Sequence, residues 1–437
     1  MSESRSIKVK ALTRVEGEGA LHIRLAGDVI EAVELNIYEP PRYFEAFLRG
    51  RSVEDVPDIT ARICGICPVA YQMSSIHALE NAMKIQCSPE TRRLRRLLYC
   101  GEWIESHVLH MHLLHAPDFL GCESGLEMGQ SYPDELKRGL RLKKHGNQLL
   151  DVLGGRSVHP INSTIGGFYR APSRQRLQNL IPDFEWGLQA AIEATRWVAR
   201  FDFPDFQHDY EMISLSHPDE YPMNEGEIAS NKRPAILVDR FEQEFQEYQV
   251  SHSTALQASR VEDNSSYLVG PLARINLNRD RLSAAAKRLA DELHFETPCT
   301  NIFRSIIARG LEVVHVYEEA LGILRDAPAL SPAKVSYEYQ PGEGSAATEA
   351  PRGLLYHRYV VDEAGLVEKA QIIPPTSQNQ LQIETDLRRF LPSVLGDDDQ
   401  QTARDCERLI RSYDPCISCA THFLKLDIER PSTTGLS

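Results

Sequence analysis

Apolar and polar residues alternate near the start of the chain, which is the pattern of strands with one buried face. The alternation runs over residues 7–38, and Gly27-Asp28 separates residues 21–25 from residues 29–37 in the way that a tight turn does. We therefore expect a small antiparallel β element over residues 7–40.

In the middle of the chain the apolar residues recur at every third or fourth position, which is typical of amphipathic helices. Leu94, Leu97, Leu98, Ile104 and Val108 illustrate this spacing. It predicts helices within residues 85–330, which form the expected helical core. These helices cover residues 91–118, 173–201, 280–296 and 301–326.

The last third of the chain changes pattern again. Residues 329–351 are rich in Pro, Gly, Ala and Ser and predict a break, whereas residues 354–361 and 366–373 predict a hairpin in a β element over 335–375. Helices over 378–390 and 398–412 belong to a C-terminal segment, 376–422. The predicted fold class is α+β and mainly α, a single large domain (1–437) in which small antiparallel β elements flank a central helical bundle.

Composition excludes several classes of protein. Of the 437 residues, 42% are hydrophobic and 25% are charged, as in ordinary globular proteins. The formal net charge of -14 disfavours binding to nucleic acid. No apolar run approaches the roughly 18 residues that a membrane span requires, and residues 1–10 do not resemble a signal peptide. We expect a cytoplasmic protein without a membrane span.

Four of the nine cysteines form two pairs with a two-residue spacer, Cys64 with Cys67 and Cys416 with Cys419. Two such pairs can surround one metal with four sulfur ligands, and zinc or an iron-sulfur cluster is the ordinary outcome. The 348 residues between the pairs argue against a local zinc finger, which closes a short loop. A redox-active thiol pair, which needs only one of them, is a further alternative.

The surrounding motifs resemble the large, catalytic subunit of nickel-iron hydrogenases. The resemblance spans the whole chain in order and rests on the first cysteine pair and five further motifs, the last of which contains the second pair. These are Arg14-Val15-Glu16-Gly17-Glu18-Gly19, Gly154-Gly155-Arg156-Ser157-Val158-His159-Pro160 with Gly166-Gly167-Phe168, Ala350-Pro351-Arg352-Gly353, Pro374-Pro375-Thr376-Ser377-Gln378-Asn379, and the ending Asp414-Pro415-Cys416-x-x-Cys419-x-x-His422. The residues of the first and fourth motifs most resemble those of the cytoplasmic, NAD(P)-coupled branch that includes the sulfhydrogenases.

The resemblance implies reversible heterolytic cleavage of H2 to protons and electrons at a centre of nickel and iron. Cys64 and Cys416 would be terminal nickel ligands, and Cys67 and Cys419 would bridge to an iron that carries cyanide and carbon monoxide. A magnesium ion would be held by Glu45, by the main-chain carbonyl of Gln371 and by His422.

The resemblance also assigns roles in the reaction. Cys416 would accept the proton from hydrogen and Glu16 would pass it on toward solvent. Arg352 would lie over the open metal position, oriented by Asp118 and Asp414. Three further residues would contact the iron-bound ligands, and these are Pro351, Pro375 and Thr376.

By resemblance, the expected partners are an iron-sulfur small subunit and diaphorase-type subunits that carry flavin and NAD(P). The remaining cysteines lack the spacing of a cluster, so the iron-sulfur clusters would lie on partner chains only. Nickel-insertion chaperones and a maturation endopeptidase are also implied, because residues 423–437 would be a removable extension that is cut off immediately after His422.

Two other functions stay open at this point. The chain could be a metal-free quinone-site subunit of a respiratory-type complex, although the presence of all four cysteines argues against it. It could also be a scaffold stabilised by zinc, which would contain no nickel.

Overall fold

The computed structural model of the chain describes residues 4–27 and 29–421. Its strands are β1 (Ser4–Val9), β2 (Gly19–Ala26), β3 (Val29–Ile37), β4 (Ser163–Thr164), β5 (Gly167–Phe168), β6 (Met212–Ser216), β7 (Glu227–Ser230), β8 (Phe245–Gln249), β9 (Leu256–Arg260), β10 (Leu268–Val269), β11 (Gly342–Ala350), β12 (Gly353–Val361) and β13 (Val367–Ile373). Its α-helices are α1 (Phe44–Leu48), α2 (Val56–Thr60), α3 (Pro68–Met83), α4 (Pro89–Leu109), α5 (Ala116–Leu120), α6 (Gly125–Ser131), α7 (Pro133–Gly154), α8 (Arg174–Gln178), α9 (Ile181–Val198), α10 (Phe241–Glu244), α11 (Pro271–Asn278), α12 (Ala284–Glu292), α13 (Ser305–Arg325), α14 (Pro375–Val394), α15 (Asp399–Tyr413) and α16 (Ile417–Ala420).

The N-terminal β element is the antiparallel sheet β1-β2-β3. Leu21 pairs with Leu35 and Ile23 pairs with Val33, so the buried residues of the alternating pattern lie on one face. The predicted hairpin is confirmed, while Asp28 of its expected turn lies outside the described residues.

A helical core follows, in which α4 packs against α7 and α13, and α13 packs against α9. Ser88 caps the first turn of α4 by accepting a hydrogen bond from the N–H of Thr91. The helix expected over 91–118 is interrupted at its end by a π-helical turn, His110–His115, before α5 begins. This turn inserts extra backbone next to residues of the candidate site, a common position for such turns.

The C-terminal sheet β11-β12-β13 contains the predicted hairpin, as β12 and β13, and adds a third strand. This strand, β11, occupies residues 342–350 of the segment 329–351 that was expected to be a break, so that prediction was wrong for these residues. Its small residues reflect close packing on α3, because a Cβ at Gly344 would collide with the main-chain N of Ala82. Glycine and alanine here permit contact between backbones and do not mark a loop.

The predicted fold class is confirmed, since helices dominate the centre and small antiparallel sheets flank them. Segments distant in sequence meet at one place, namely the loop before β2, the start of α3, the β11–β12 turn, the start of α14 and the end of α15. A search of the described residues found no helix with the length and hydropathy of a membrane span.

Candidate metal centre

The thiols of Cys64, Cys67, Cys416 and Cys419 lie within 4.8 Å of one another, and all four residues are buried. The Sγ atoms of Cys64 and Cys416 are 3.6 Å apart, and those of Cys64 and Cys67 are 2.8 Å apart. All four cysteines are free of disulfide bonds. The fold thus joins the two pairs into a single cluster of sulfur atoms.

The first pair is positioned by the start of α3. Cys64 follows a 3-10 turn, Ala61–Ile63, and Cys67 is the N-terminal cap residue of α3. The N–H groups of Ile66 and Cys67 point at the Sγ of Cys64, at 3.4 and 3.2 Å. The two-residue spacer therefore supplies main-chain donors that stabilise a thiolate.

The carboxylate of Glu102, a residue that the sequence did not single out, holds the start of α3 in place. It accepts hydrogen bonds from the N–H groups of Val69, at 2.5 Å, and of Ala70, at 3.1 Å. These are two of the donors that a helix N-terminus leaves unpaired. Burial raises the pKa of Glu102 well above its usual range. Only its position on the neighbouring helix α4 reveals this role, so the sequence carries no local signal for it.

The second pair is positioned by the end of α15 and a short helix. Asp414 ends α15 with a left-handed conformation, φ 55°, and Cys416 is the cap residue of α16. The N–H of Cys416 donates to the Oγ1 of Thr376, at 2.9 Å. The N–H of Ile417 donates to the main-chain carbonyl of Glu16, at 2.9 Å. The start of α14 and the N-terminal motif thus fix this turn from two sides.

The four thiols do not titrate alike. Burial alone would raise the pKa of Cys64, but hydrogen bonds from Cys416 and Cys419 reverse the effect and place it well below the usual range. Burial, reinforced by hydrogen bonding with Cys419 and Cys64, raises the pKa of Cys416 well above its usual range. Several adjacent thiolates repel one another unless a cation lies between them.

Glu16 lies beside Cys416 and is only partly buried. Its Oε2 accepts a hydrogen bond from the Sγ of Cys416, at 3.1 Å, and another from the N–H of Ser418, at 3.1 Å. A carboxylate in this position can exchange a proton with the thiol on one side and with solvent on the other.

Arg352 also lies beside the thiols and is buried, with 3% of its surface exposed. Its Nε donates to the main-chain carbonyl of Asp414 at 2.7 Å, and its Nη2 donates to the Oδ1 of the same residue at 3.1 Å. Its Nη1 is 4.0 Å from the Sγ of Cys67. Burial would lower the pKa of Arg352, but Asp414 and the cysteines raise it well above its usual range.

Asp118 does not orient Arg352, and that prediction is corrected. Its carboxylate pairs instead with Arg411, at 2.7 and 2.8 Å, and with Arg14, at 2.5 Å. Arg411 also donates to the carbonyl of Thr13, at 3.0 Å. Arg14 lies two residues before Glu16, and Arg411 lies on α15, the helix that leads to the second pair. The two oxygens of Asp118 therefore link the N-terminal segment to this helix.

The predicted magnesium ligands need one correction. The Oε1 of Glu45 accepts a hydrogen bond from the N–H of Ile372, at 2.7 Å, at the edge of β13. In an antiparallel strand the N–H and C=O of one residue point to the same side, so the carbonyl of Ile372 faces Glu45. The carbonyl of Gln371 points to the other edge, where that residue pairs with Arg358 of β12. His422 lies outside the described residues.

Three other predicted residues are buried in this region, Pro351, Pro375 and Thr376. Pro375 is at the first position of α14 and Thr376 follows it. The hydroxyl of Thr376 accepts the hydrogen bond from the second pair, and its own hydrogen can still be donated elsewhere.

The sequence also missed why the motif around Thr376 ends in Gln378-Asn379. The side chain of Asn379 holds both main-chain groups of Val269, accepting from its N–H at 3.0 Å and donating to its carbonyl at 3.1 Å. Gln378 donates to the carbonyl of Leu354, at 2.6 Å. These amides tie α14 to the strands that border Arg352, a role that the motif's buried polar residues alone could have indicated.

The donor set fits a soft metal centre. Four buried free thiols converge, main-chain N–H groups point at one of them, and a buried guanidinium lies 4.0 Å from another. Soft thiolate ligands suit nickel and iron, as they also suit zinc. Within the described residues, the other five cysteines belong to no group of this kind.

Comparison with known proteins identifies the family. A family model described as nickel-dependent hydrogenase matches residues 42–138 and 229–422. Sulfhydrogenase 1 subunit alpha of Pyrococcus furiosus is 32% identical over 424 residues, which cover 96% of this chain and 98% of that protein. NAD-reducing hydrogenase HoxS subunit beta of Cupriavidus necator is 27% identical over 477 residues, which cover 96% of this chain and 95% of that protein.

A solved structure has the same fold over nearly the whole chain. It is a chain of the NAD+-reducing [NiFe]-hydrogenase in the H2-reduced state, with a TM-score of 0.87 and 25% sequence identity. The match covers 96% of this chain and 99% of that one. The residues matched by the family model include both cysteine pairs.

Proposed function

The chain belongs to the nickel-dependent hydrogenase family and is an oxidoreductase acting on hydrogen, and from this premise we propose how its residues divide the work. The four thiolates of Cys64, Cys67, Cys416 and Cys419 would hold nickel and, through two of them, iron with cyanide and carbon monoxide. When bound, this group supplies the Lewis acidity and redox chemistry that split hydrogen.

The two charged residues beside the thiols, Glu16 and Arg352, carry this proposal. Cys416 accepts the proton, and Glu16, 3.1 Å from its sulfur and partly exposed, passes the proton outward. Arg352 stays positively charged because Asp414 lies beside it. Its fixed N–H groups stabilise negative charge that develops beside the thiolates. A magnesium ion would use Glu45, the carbonyl of Ile372 and His422.

Metal analysis of the purified complex tests the assignment and separates it from the alternatives. We expect about one nickel per chain and reduction of an artificial dye by H2. A chain that holds only zinc would be a scaffold, and a chain that holds no metal would favour a quinone-site subunit. Either result would contradict the assigned centre.

Electrons must leave through a partner, because the described residues offer no second cluster of cysteines. Gly65, between the first two cysteines, is exposed although both thiols are buried, so the main chain of the first pair reaches the surface there. His159 contacts the main-chain carbonyl of Ala61 and so holds the neighbouring segment beside the first pair. In that segment Val158, Ile161 and Tyr169 are 50%, 50% and 56% exposed. These exposed apolar side chains support docking of an iron-sulfur small subunit.

Two matched substitutions test the docking surface. Ile161 beside the first pair and Leu140 on α7 are each 50% exposed. We expect Ile161→Asp to abolish copurification of the small subunit and H2-dependent dye reduction, whereas Leu140→Asp should leave both intact. Retention of the partner by Ile161→Asp would place the interface elsewhere.

We further propose NAD or NADP as the terminal acceptor on flavin subunits in the cytoplasm, because two similar proteins are NAD-reducing hydrogenases. Residues 423–437 lie outside the described residues, and we propose that an endopeptidase removes them after chaperones insert nickel. The intact mass of the active chain tests this, since a nickel-containing active chain that still ends at Ser437 would refute processing.

A further inference from the structure

Behind Arg352 lies a second buried arginine, Arg274, in which every N–H has an acceptor. Its Nε and Nη2 donate to the two oxygens of Glu312, at 2.7 and 2.8 Å, and its Nη1 donates to Glu349, at 2.9 Å. The two remaining hydrogens go to the main-chain carbonyls of Ala350 and Pro351, both at 2.9 Å. An arginine has five such donors, so every donor of the Arg274 guanidinium is used.

The two carbonyls belong to the residues directly before Arg352. Arg274 therefore fixes the main chain from which the Arg352 side chain departs. The same helix, α11, also contacts that segment from its start, because a Cβ at Gly270 would lie 2.9 Å from the carbonyl oxygen of Arg352. Gly270 has φ 117°, which only glycine adopts readily.

The charges around Arg274 are arranged to hold it still. Arg274, Glu312 and Glu349 are all fully buried. Burial alone would raise the pKa of Glu312, but Arg274 lowers it to about 2, so this carboxylate stays ionised. Glu312 also accepts from the hydroxyl of Tyr221, at 2.7 Å, and the Arg274 guanidinium lies over the ring of Trp103, 4.4 Å from its centre.

Stability does not explain such a group. Buried ion pairs seldom stabilise a fold more than well-packed apolar residues of the same volume would, because desolvation offsets the attraction. What an apolar side chain cannot do is hold two successive carbonyls in a fixed plane. The fork geometry of arginine does this, and lysine, with three donors and no plane, does not.

We infer that Arg274 is a positioning residue for hydrogen cleavage, because it fixes the carbonyls of Ala350 and Pro351 and thereby aims the guanidinium of Arg352 at the thiolate cluster. This inference rests on the role proposed above for Arg352. Arg274 itself touches neither the thiols nor the substrate.

A double-mutant cycle in the purified complex tests the inference. We expect Arg274→Lys to lower H2-dependent turnover by about 10–100-fold, because misplacing a reacting group by an ångström costs that much. If Arg274 acts through Arg352, adding Arg274→Lys to Arg352→Lys should cost no more than about twofold further, whereas independent effects would multiply.

Two readouts other than activity accompany the cycle, and these are nickel content and the electron paramagnetic resonance spectrum of the nickel. We expect Arg274→Lys to keep its nickel and to shift the spectrum in the same direction as Arg352→Lys. Glu349→Asp, which moves this carboxylate away from the Nη1 of Arg274, should give a smaller loss of turnover with the same spectral shift.

Arg95→Lys is the matched control. Arg95 is also buried and forms a two-bond pair with Glu80, at 2.8 and 2.7 Å. It should leave the nickel spectrum unchanged, and its effect on turnover should be the same with Arg352 or with lysine at that position.

The outcomes separate two failures. If Arg352→Lys keeps full turnover, the proposed function of Arg352 is wrong. If Arg352→Lys is slow but Arg274→Lys is fast, or if their effects multiply, only the positioning role of Arg274 is overturned. Loss of nickel from Arg274→Lys but not from Arg95→Lys would also overturn it, because Arg274 would then build the centre rather than aim Arg352.

Discussion

The surroundings of Arg352 and of Glu16, here called the inner and the outer side of the thiolate cluster, differ in how firmly they hold their charge. On the inner side Arg352 is 3% exposed, its guanidinium is bound to Asp414, and the main chain before it is bound by Arg274. On the outer side Glu16 is partly exposed and accepts hydrogen bonds from Cys416 and Ser418. A fixed cation and an accessible carboxylate are what a reaction needs if charge is stabilised inside and the proton leaves outward.

Removing a thiol should have the largest effect, because both sides face the same four sulfur atoms. We expect Cys64→Ser to lose its nickel and all turnover, since the alcohol remains a neutral, poor ligand. Cys100→Ser is the matched control, because Cys100 is also fully buried but belongs to no cluster in the described structure. Metal analysis and H2-dependent dye reduction check both variants. Nickel bound at the wild-type level by Cys64→Ser would remove this residue from the ligand set.

Arg352→Lys should break the inner side alone. A lysine retains the positive charge but cannot bind the carbonyl and the carboxylate of Asp414 together. We expect turnover to fall on the order of 10³-fold while nickel content stays unchanged. Steady-state rates with metal analysis on the same preparation measure this. A parallel fall in nickel and rate would assign Arg352 to assembly of the centre instead.

Glu16→Gln should break the outer side alone. The amide can still accept a hydrogen bond but cannot carry a proton, so exchange between H2 and D2O should slow on the order of 10²-fold. Nickel content and the inner side should be unaffected. Glu18→Gln is the control, because Glu18 is exposed and lies two residues further on. Wild-type exchange in Glu16→Gln would show that the proton leaves by another path.

Sequence was informative where the chemistry is local. Each cysteine pair and the glutamate of the N-terminal motif stand in recognisable strings, and alternation predicted β2 and β3 because one face of that sheet is buried. Partners set by tertiary packing were not predictable. Asp118 and Arg411 are 293 positions apart, and nothing in the sequence indicates that Arg411 rather than Arg352 reaches this carboxylate.

The prediction of a break at the β11 segment failed for a related reason. Glycine and alanine usually indicate turns and breaks, but here they let a strand pack on the backbone of α3 at Ala78 and Ala82. The carbonyl beside Glu45 is that of Ile372 and not that of Gln371, because the direction of a main-chain group depends on strand pairing, which the order of residues does not reveal. Both errors concern contacts between backbones rather than side-chain chemistry.

Asp118→Asn should loosen the outer side without removing any group that moves a proton. Asp118 binds Arg14 and Arg411, and so holds the segment that carries Glu16 against the helix that leads to Cys416. We expect a loss of about 2 kcal/mol in the free energy of unfolding, because the charge-assisted hydrogen bonds weaken. Proton exchange should fall less than in Glu16→Gln. Denaturant unfolding and H/D exchange on one preparation check this. An effect on turnover equal to that of Arg352→Lys would show that Asp118 acts on Arg352.

Thr376→Val should give the smallest loss of turnover, because it removes one hydrogen bond from the turn that holds Cys416 and no charged group. The hydroxyl of Thr376 accepts from the N–H of Cys416, and valine has the same shape but no acceptor. Leaving that buried N–H unpaired should cost about 1–3 kcal/mol in stability. Thr376→Ser, which keeps the hydroxyl, should behave as wild type in thermal unfolding and nickel retention. If valine lowers turnover sharply without lowering stability, the hydroxyl acts on the bound ligands of the centre and not only on the turn that holds Cys416.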